Sequence, residues 1–197
     1  MNTTAIVIEI LIGGLQTTAW LALIILSIFG YEWIQLSTAE RWLGLTIFII
    51  VISYTLGVLF DRLWDFLLYK PDNVIRNRYL SKLELYSIRV RIFSKSETMA
   101  SFPDYIRSRM RIARASLCNF CLISATSFFF ILTRLNHLDV FLKWKLLLFT
   151  GICGVLLILL AFYAWKNITN TYYKQVSIIY KELFEEAELV SKSSPNK

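Results

Sequence analysis

Four long apolar runs, at residues 5–29, 42–60, 117–133 and 146–165, set the limits on what this chain can fold into. A helix needs about 20 predominantly apolar residues to cross the hydrocarbon core of a bilayer, with a workable range of about 17–25. Three of the runs meet that length easily. The run at 117–133 stands at its lower limit and carries Ser124, Thr126 and Ser127. Lipid offers no hydrogen-bond partner to backbone N–H and C=O groups, so spans of this kind must be helical. The expected fold class is all-α: a polytopic membrane protein with a four-transmembrane-helix bundle and helical cytoplasmic extensions. Hydrophobic residues make up 56% of the 197 residues, against about 45–50% for a soluble domain. Their clustering, more than their number, carries the argument.

The first run follows Met1-Asn2-Thr3-Thr4 directly, with no basic stretch before it. Its length exceeds the apolar core of about 7–15 residues typical of a cleavable signal peptide. It is expected to be a retained span.

Net charge is +7, from 21 Lys and Arg against 14 Asp and Glu, and its placement gives an orientation. Residues 30–41 hold one basic residue and 134–145 hold three, whereas 61–116 hold twelve and the tail from Lys166 holds five. Cytoplasmic loops collect Lys and Arg. The central segment and both termini are therefore expected on the cytoplasmic side of an inner (plasma) membrane. Tyr31, Trp33, Trp42, Trp144, Tyr163 and Trp165 sit where interfacial aromatics are favoured.

These features divide the chain into four parts. Residues 1–68 form a transmembrane hairpin with a helical extension, and 69–116 a basic cytoplasmic module. Residues 117–168 form a second hairpin, and 169–197 an amphipathic cytoplasmic tail helix. The helix of the second span is expected to continue to Tyr69, stop at Lys70-Pro71 and restart near Asp72. Ile88-Arg89-Val90-Arg91-Ile92 alternates as a strand would, and an amphipathic helix fits it as well. Residues 94–101 read as a loop. Pro103 suits the first turn of a helix that runs into the third span. In the tail, Tyr173, Val176, Tyr180, Leu183, Ala187 and Val190 recur at alternating spacings of three and four, a heptad seam. Val176, Tyr180, Leu183 and Ala187 are the expected oligomer contacts.

Polar residues inside apolar runs mark helix contacts or functional sites. Glu9, Gly13, Gln16 and Trp20 share a face of the first span, with Thr17 beside them. That stripe can line a path for an ion or bind a neighbouring helix, and helix contact is favoured. Ser53, Gly57, Asp61 and Asp65 recur every four residues on the second span. Two acids one turn apart repel each other unless a cation joins them; Arg62 or an arginine from 107–114 is the expected partner. Arg76, Arg78, Arg89, Arg91, Arg107, Arg111 and Arg114 form the basic surface expected to bind a cytoplasmic protein partner, anionic lipid or a nucleotide. The central segment lacks glycine, which argues against a backbone phosphate cradle. Glu182, Glu185, Glu186 and Glu188 form an acidic patch that could dock on those cations.

Catalytic and metal chemistry find no foothold. Cys118-Asn119-Phe120-Cys121 lacks the second pair a zinc site needs and the βαβ setting of a redox site, so packing is its expected role. The three cysteines are expected to be reduced and buried. His137 beside Asp139 assembles no nucleophile and base. No enzymatic activity, cofactor or metal is expected.

In layout alone, four spans with a basic cytoplasmic module, the chain resembles membrane subunits of some bacterial signalling and anti-phage defence systems. The expected function is that of a non-enzymatic, homo-oligomeric membrane sensor or effector. In that scheme the basic module binds a protein or anionic ligand and couples to the bundle. The alternatives are a small oligomeric channel or transporter using the first-span stripe, and a scaffold that does not conduct.

Overall fold

Helix boundaries follow the sequence punctuation, with two shifts. The computed structural model describes residues 3–30, 39–80 and 97–193. Within them the chain is all-helical: α1 (Thr3–Phe29), α2 (Ala39–Leu67), α3 (Tyr69–Tyr79), α4 (Glu97–Arg134) and α5 (Val140–Ser193). The break after α2 falls at Leu68, three residues before Pro71. Pro71 lies instead in the first turn of α3, where a missing N–H costs no intrahelical bond. Helix α4 starts at Glu97, so most of the expected loop at 94–101 is helical and Pro103 lies inside the helix. The alternating segment at 88–92 lies outside the described residues.

Four helices are long and apolar enough to cross a membrane, with candidate spans at Ile6–Phe29, Gly44–Leu67, Tyr105–Arg134 and Val140–Glu182. At about 1.5 Å per residue, a helix of 54 residues runs more than twice the roughly 30 Å of a hydrocarbon core. Only part of α5 can lie in lipid. Its apolar half turns large side chains outward: Leu148, Phe149, Ile152, Leu159 and Tyr163 are each more than 60% exposed. An apolar surface of that extent is unusual on a water-soluble monomer.

The chain forms two compact units. One comprises Asn2–Leu67 and Arg111–Trp165; the other comprises Met1, Leu68–Met110 and Lys166–Lys197. Helices α4 and α5 each contribute residues to both.

In the unit built from Asn2–Leu67 and Arg111–Trp165, glycines bring helix backbones together. A Cβ on Gly14 would fall on the Ser53 carbonyl, and one on Gly57 would fall on the Ile10 carbonyl. Helices α1 and α2 therefore touch backbone to backbone, the small-residue packing that stands in for hydrophobic drive where the solvent is itself apolar. On α5, Gly154 makes room for the Ser124 side chain of α4 and Gly151 for the Phe128 ring.

The three cations of the 134–145 link each have a partner within the protein. Arg134 Nε donates to Ser27 O at 2.8 Å, and its Nη2 to Ile28 O. Those carbonyls belong to the last turn of α1, which Gly30 closes at φ +80° with its N–H on Leu26 O at 3.0 Å. Lys143 Nζ donates to Leu132 O at 3.2 Å and Asn136 Oδ1 at 2.6 Å. Lys145 Nζ lies 4.2 Å from the centre of the Phe141 ring. A cation at a helix C-terminus satisfies orphan carbonyls and the macrodipole together.

In the other unit, Ile75, Leu80, Ile106, Met110, Tyr172, Tyr173 and Val176 are buried. Tyr173 Oη donates to Asp72 Oδ2 at 2.6 Å and ties α5 to α3. Ser177 Oγ reaches Tyr79 O at 3.4 Å.

Candidate functional site

The polar stripe of α1 is a contact surface for α4, and its centre is Asn119, which is fully buried. Asn119 Oδ1 accepts from Trp20 Nε1 at 3.2 Å. Its Nδ2 donates to Gly13 O at 3.2 Å and to Gln16 Oε1 at 3.4 Å. Gln16 Nε2 donates onward to Ser116 Oγ at 3.1 Å. The Thr17 hydroxyl lies 3.0 Å from Gly13 O and 3.2 Å from Asn119 Oδ1, so its one proton serves either acceptor. Buried amides are kept only where their donors and acceptors are met, and here four residues of one helix, Gly13, Gln16, Thr17 and Trp20, lie within hydrogen-bond distance of a single asparagine. Thr18 joins α1 to α2 in the same manner, 2.8 Å from the hydroxyl of fully buried Ser53.

Asn119 and Thr18 were not singled out in the sequence. A lone amide within an apolar run was the available signal for the first. It was obscured by the cysteines at 118 and 121, which suggested a motif. Those cysteines are free; Cys118 and Cys153 are half-buried and Cys121 is exposed, which corrects the expectation of three buried thiols. An exposed Cys121 belongs to the outer face of α4, where a thiol behaves as a small hydrophobe.

The second constellation lies at the C-terminal end of α2. Asp65 Oδ1 forms an ion pair with Arg114 Nη2. The Arg114 side chain is 10% exposed and that of Asp65 41%. The cation that pairs with Asp65 thus comes from α4. One turn earlier, Asp61 lines a small cavity together with Glu9 of α1 and Arg111 of α4. Phe60 and Trp64 form part of its apolar wall. The aromatic row Trp20–Phe60–Trp64, with ring centroids 5.6 and 5.4 Å apart, backs the site. Glu9 is 7% exposed, so its carboxylate belongs to the interior of this unit.

The expected basic surface divides between buried and exposed positions. Arg114 is buried and paired, and Arg111 faces the cavity. Arg76 and Arg107 are half-buried and Arg78 is exposed. Arg109, also exposed, lies 4.6 Å from the centre of the Tyr105 ring. Arg89 and Arg91 lie outside the described residues.

The tail seam begins as an internal surface. Val176 has no exposed area and Tyr180 is half-buried, so Val176, expected as an oligomer contact, is enclosed by its own chain. The side chains of Leu183 and Ala187, and of Glu185, Glu186 and Glu188, lie outside the described residues. Among the described residues no group of three or more His, Cys, Asp or Glu side chains could hold a metal ion.

The architecture defines a class: an all-helical chain with four helices long and apolar enough to cross a membrane, locked at α1–α4 by a buried amide and at α2–α4 by an ion pair. No protein-family model, curated protein or solved structure matches it.

Proposed function

We propose that this chain is a multi-pass membrane protein of the inner (plasma) membrane, with both termini cytoplasmic, acting as a non-enzymatic, oligomeric sensor or effector. A protein or anionic ligand bound at the exposed cations around Arg78 and Arg109 would bias the packing of α1 on α2. The observation that carries this reading is the Asp65–Arg114 ion pair. Arg114 lies three residues after α4 enters the unit that contains α1 and α2, and α4 reaches it as unbroken helix. Displacement of α4 would pull directly on α2. A ligand shifts such an equilibrium only by its differential affinity for the two packings.

The runner-up, a channel or transporter using the α1 stripe, has weaker support. Gln16 and Thr17 hydrogen-bond to Ser116 and Asn119, which favours helix contact as the role of the stripe.

The test is vesicle conductance and detergent-sized assembly in two variants. The sensor reading expects charge reversal at Arg78 and Arg109 to abolish ligand- or partner-dependent output with assembly intact, and Gln16→Leu to spare it. Altered flux in Gln16→Leu with dispensable arginines would favour transport. Conductance unchanged in both would favour a scaffold. Tags near residue 90 that react only from outside the cell would overturn the orientation.

A further inference from the structure

We propose that the cavity between Glu9, Asp61 and Arg111 is a binding site for one water molecule, which completes the junction of α1, α2 and α4. The inference concerns only the unit built from Asn2–Leu67 and Arg111–Trp165 and stands apart from the sensor reading.

The size of the cavity and the three charged side chains on its otherwise mostly apolar wall point to water. The space open to a water centre is about 20 Å³. A single water needs roughly 10–15 Å³ on that measure, with two to four polar partners. Glu9, Asp61 and Arg111 supply three polar groups from three helices. A water brings two further O–H donors to the carboxylates and an acceptor to Arg111. All three residues fall within candidate spans, and charged side chains at such depth pair with one another or line hydrated spaces. The apolar part of the wall, Phe60 and Trp64 among it, limits the volume and leaves the occupant to be fixed by the polar groups.

Gly13 gives a clean test because it lines the same cavity. A Cβ there would stand 3.5 Å from the Ala115 Cβ, an ordinary contact, so Gly13→Ala takes volume from the cavity without displacing backbone. Gly44 is the control: it is helical, and a Cβ there meets nothing within 4 Å. Gly44→Ala therefore reports the bare gain of replacing glycine in a helix. Filling a dry cavity stabilises, whereas evicting a bound water does not.

The melting temperature of the full chain in detergent is expected to shift less favourably for Gly13→Ala than for Gly44→Ala, and to fall below wild type. A Gly13→Ala shift equal to or above that of Gly44→Ala overturns the proposal. If Gly13→Ala fails to fold, an experimental wild-type structure at water-resolving resolution decides. Density within hydrogen-bond distance of at least two of the three polar groups supports the site, and its absence overturns it. Stabilisation by sodium chloride but not by choline chloride, lost in Asp61→Asn, would assign a cation to the cavity and equally overturn the water.

Discussion

Arg134 Nε stands 2.8 Å from the carbonyl oxygen of Ser27, so the last residue of α4 caps the last turn of α1. The contact joins residues 107 positions apart and closes the bundle at the end opposite the Asp65–Arg114 pair. Charge-assisted bonds of this kind contribute about 1.5–3 kcal/mol, and a cation at a helix C-terminus about 0.3–1 kcal/mol more. Arg134→Gln is expected to lower unfolding free energy in mixed micelles by about 1–2 kcal/mol, with Arg134→Lys recovering part of the loss. A result indistinguishable from wild type would mean that water or headgroups cap α1 equally well.

Asn119 is the residue on which the α1–α4 contact turns. Asn119→Leu keeps the branched shape but strands Trp20 Nε1 and the Gln16 amide, which lose an acceptor and a donor respectively. Interhelical hydrogen bonds in membranes average about 0.6 kcal/mol and reach about 1.7, so a loss of about 1–3 kcal/mol is expected for the set. A change in Trp20 fluorescence should accompany it, since the indole N–H changes partner. Full stability in Asn119→Leu would show that packing alone holds the two helices.

Tyr173 performs the corresponding task between α3 and α5. Tyr173→Phe deletes one hydroxyl and leaves Asp72 without its 2.6 Å donor. A part-buried bond to a charged acceptor supports a loss at the lower end of about 1.5–3 kcal/mol. The local readout is faster amide hydrogen exchange in residues 69–79, with exchange at the α1–α2 contact unchanged. Uniform acceleration along the whole chain would instead mean that this bond stabilises the fold globally.

How much could be read beforehand depended on whether a feature is local or long-range. Apolar runs located the four candidate spans because lipid depth fixes a minimum length, and the chain outside them could be divided by charge. The α1 stripe and the acidic face of α2 are legible because 3.6-residue periodicity places Gln16 beside Gly13 and Trp20, and Asp61 beside Asp65. Their partners are not. Nothing in the order of residues distinguishes Arg114 from Arg111 as the mate of Asp65, because that depends on helix rotation and the reach of a guanidinium. Val176 shows the limit of a periodic pattern. A heptad seam states that a face is apolar but not which chain covers it, and α5 buries Val176 within its own chain. The capping of α1 by Arg134 is equally invisible in the sequence, because it depends on the end of α1 lying beside the end of α4.

The Asp65–Arg114 pair offers the sharpest test of coupling through α4. Truncating one partner of a buried pair costs about 3–5 kcal/mol. Asp65 is 41% exposed, so water can partly replace it, and Asp65→Ala is expected to cost roughly 2 kcal/mol, below that range. Arg114→Ala should cost more than Asp65→Ala, because its aliphatic stem is buried as well as its charge. In the double variant Asp65→Ala/Arg114→Ala the two losses should fall short of their sum by about 0.5–3 kcal/mol, the coupling expected of residues in contact. Additive losses would mean that the ion pair joins α2 to α4 in geometry only, and the proposed transmission along α4 would then need another route. Nonadditive losses would give the coupling a residue-level basis before any ligand is known.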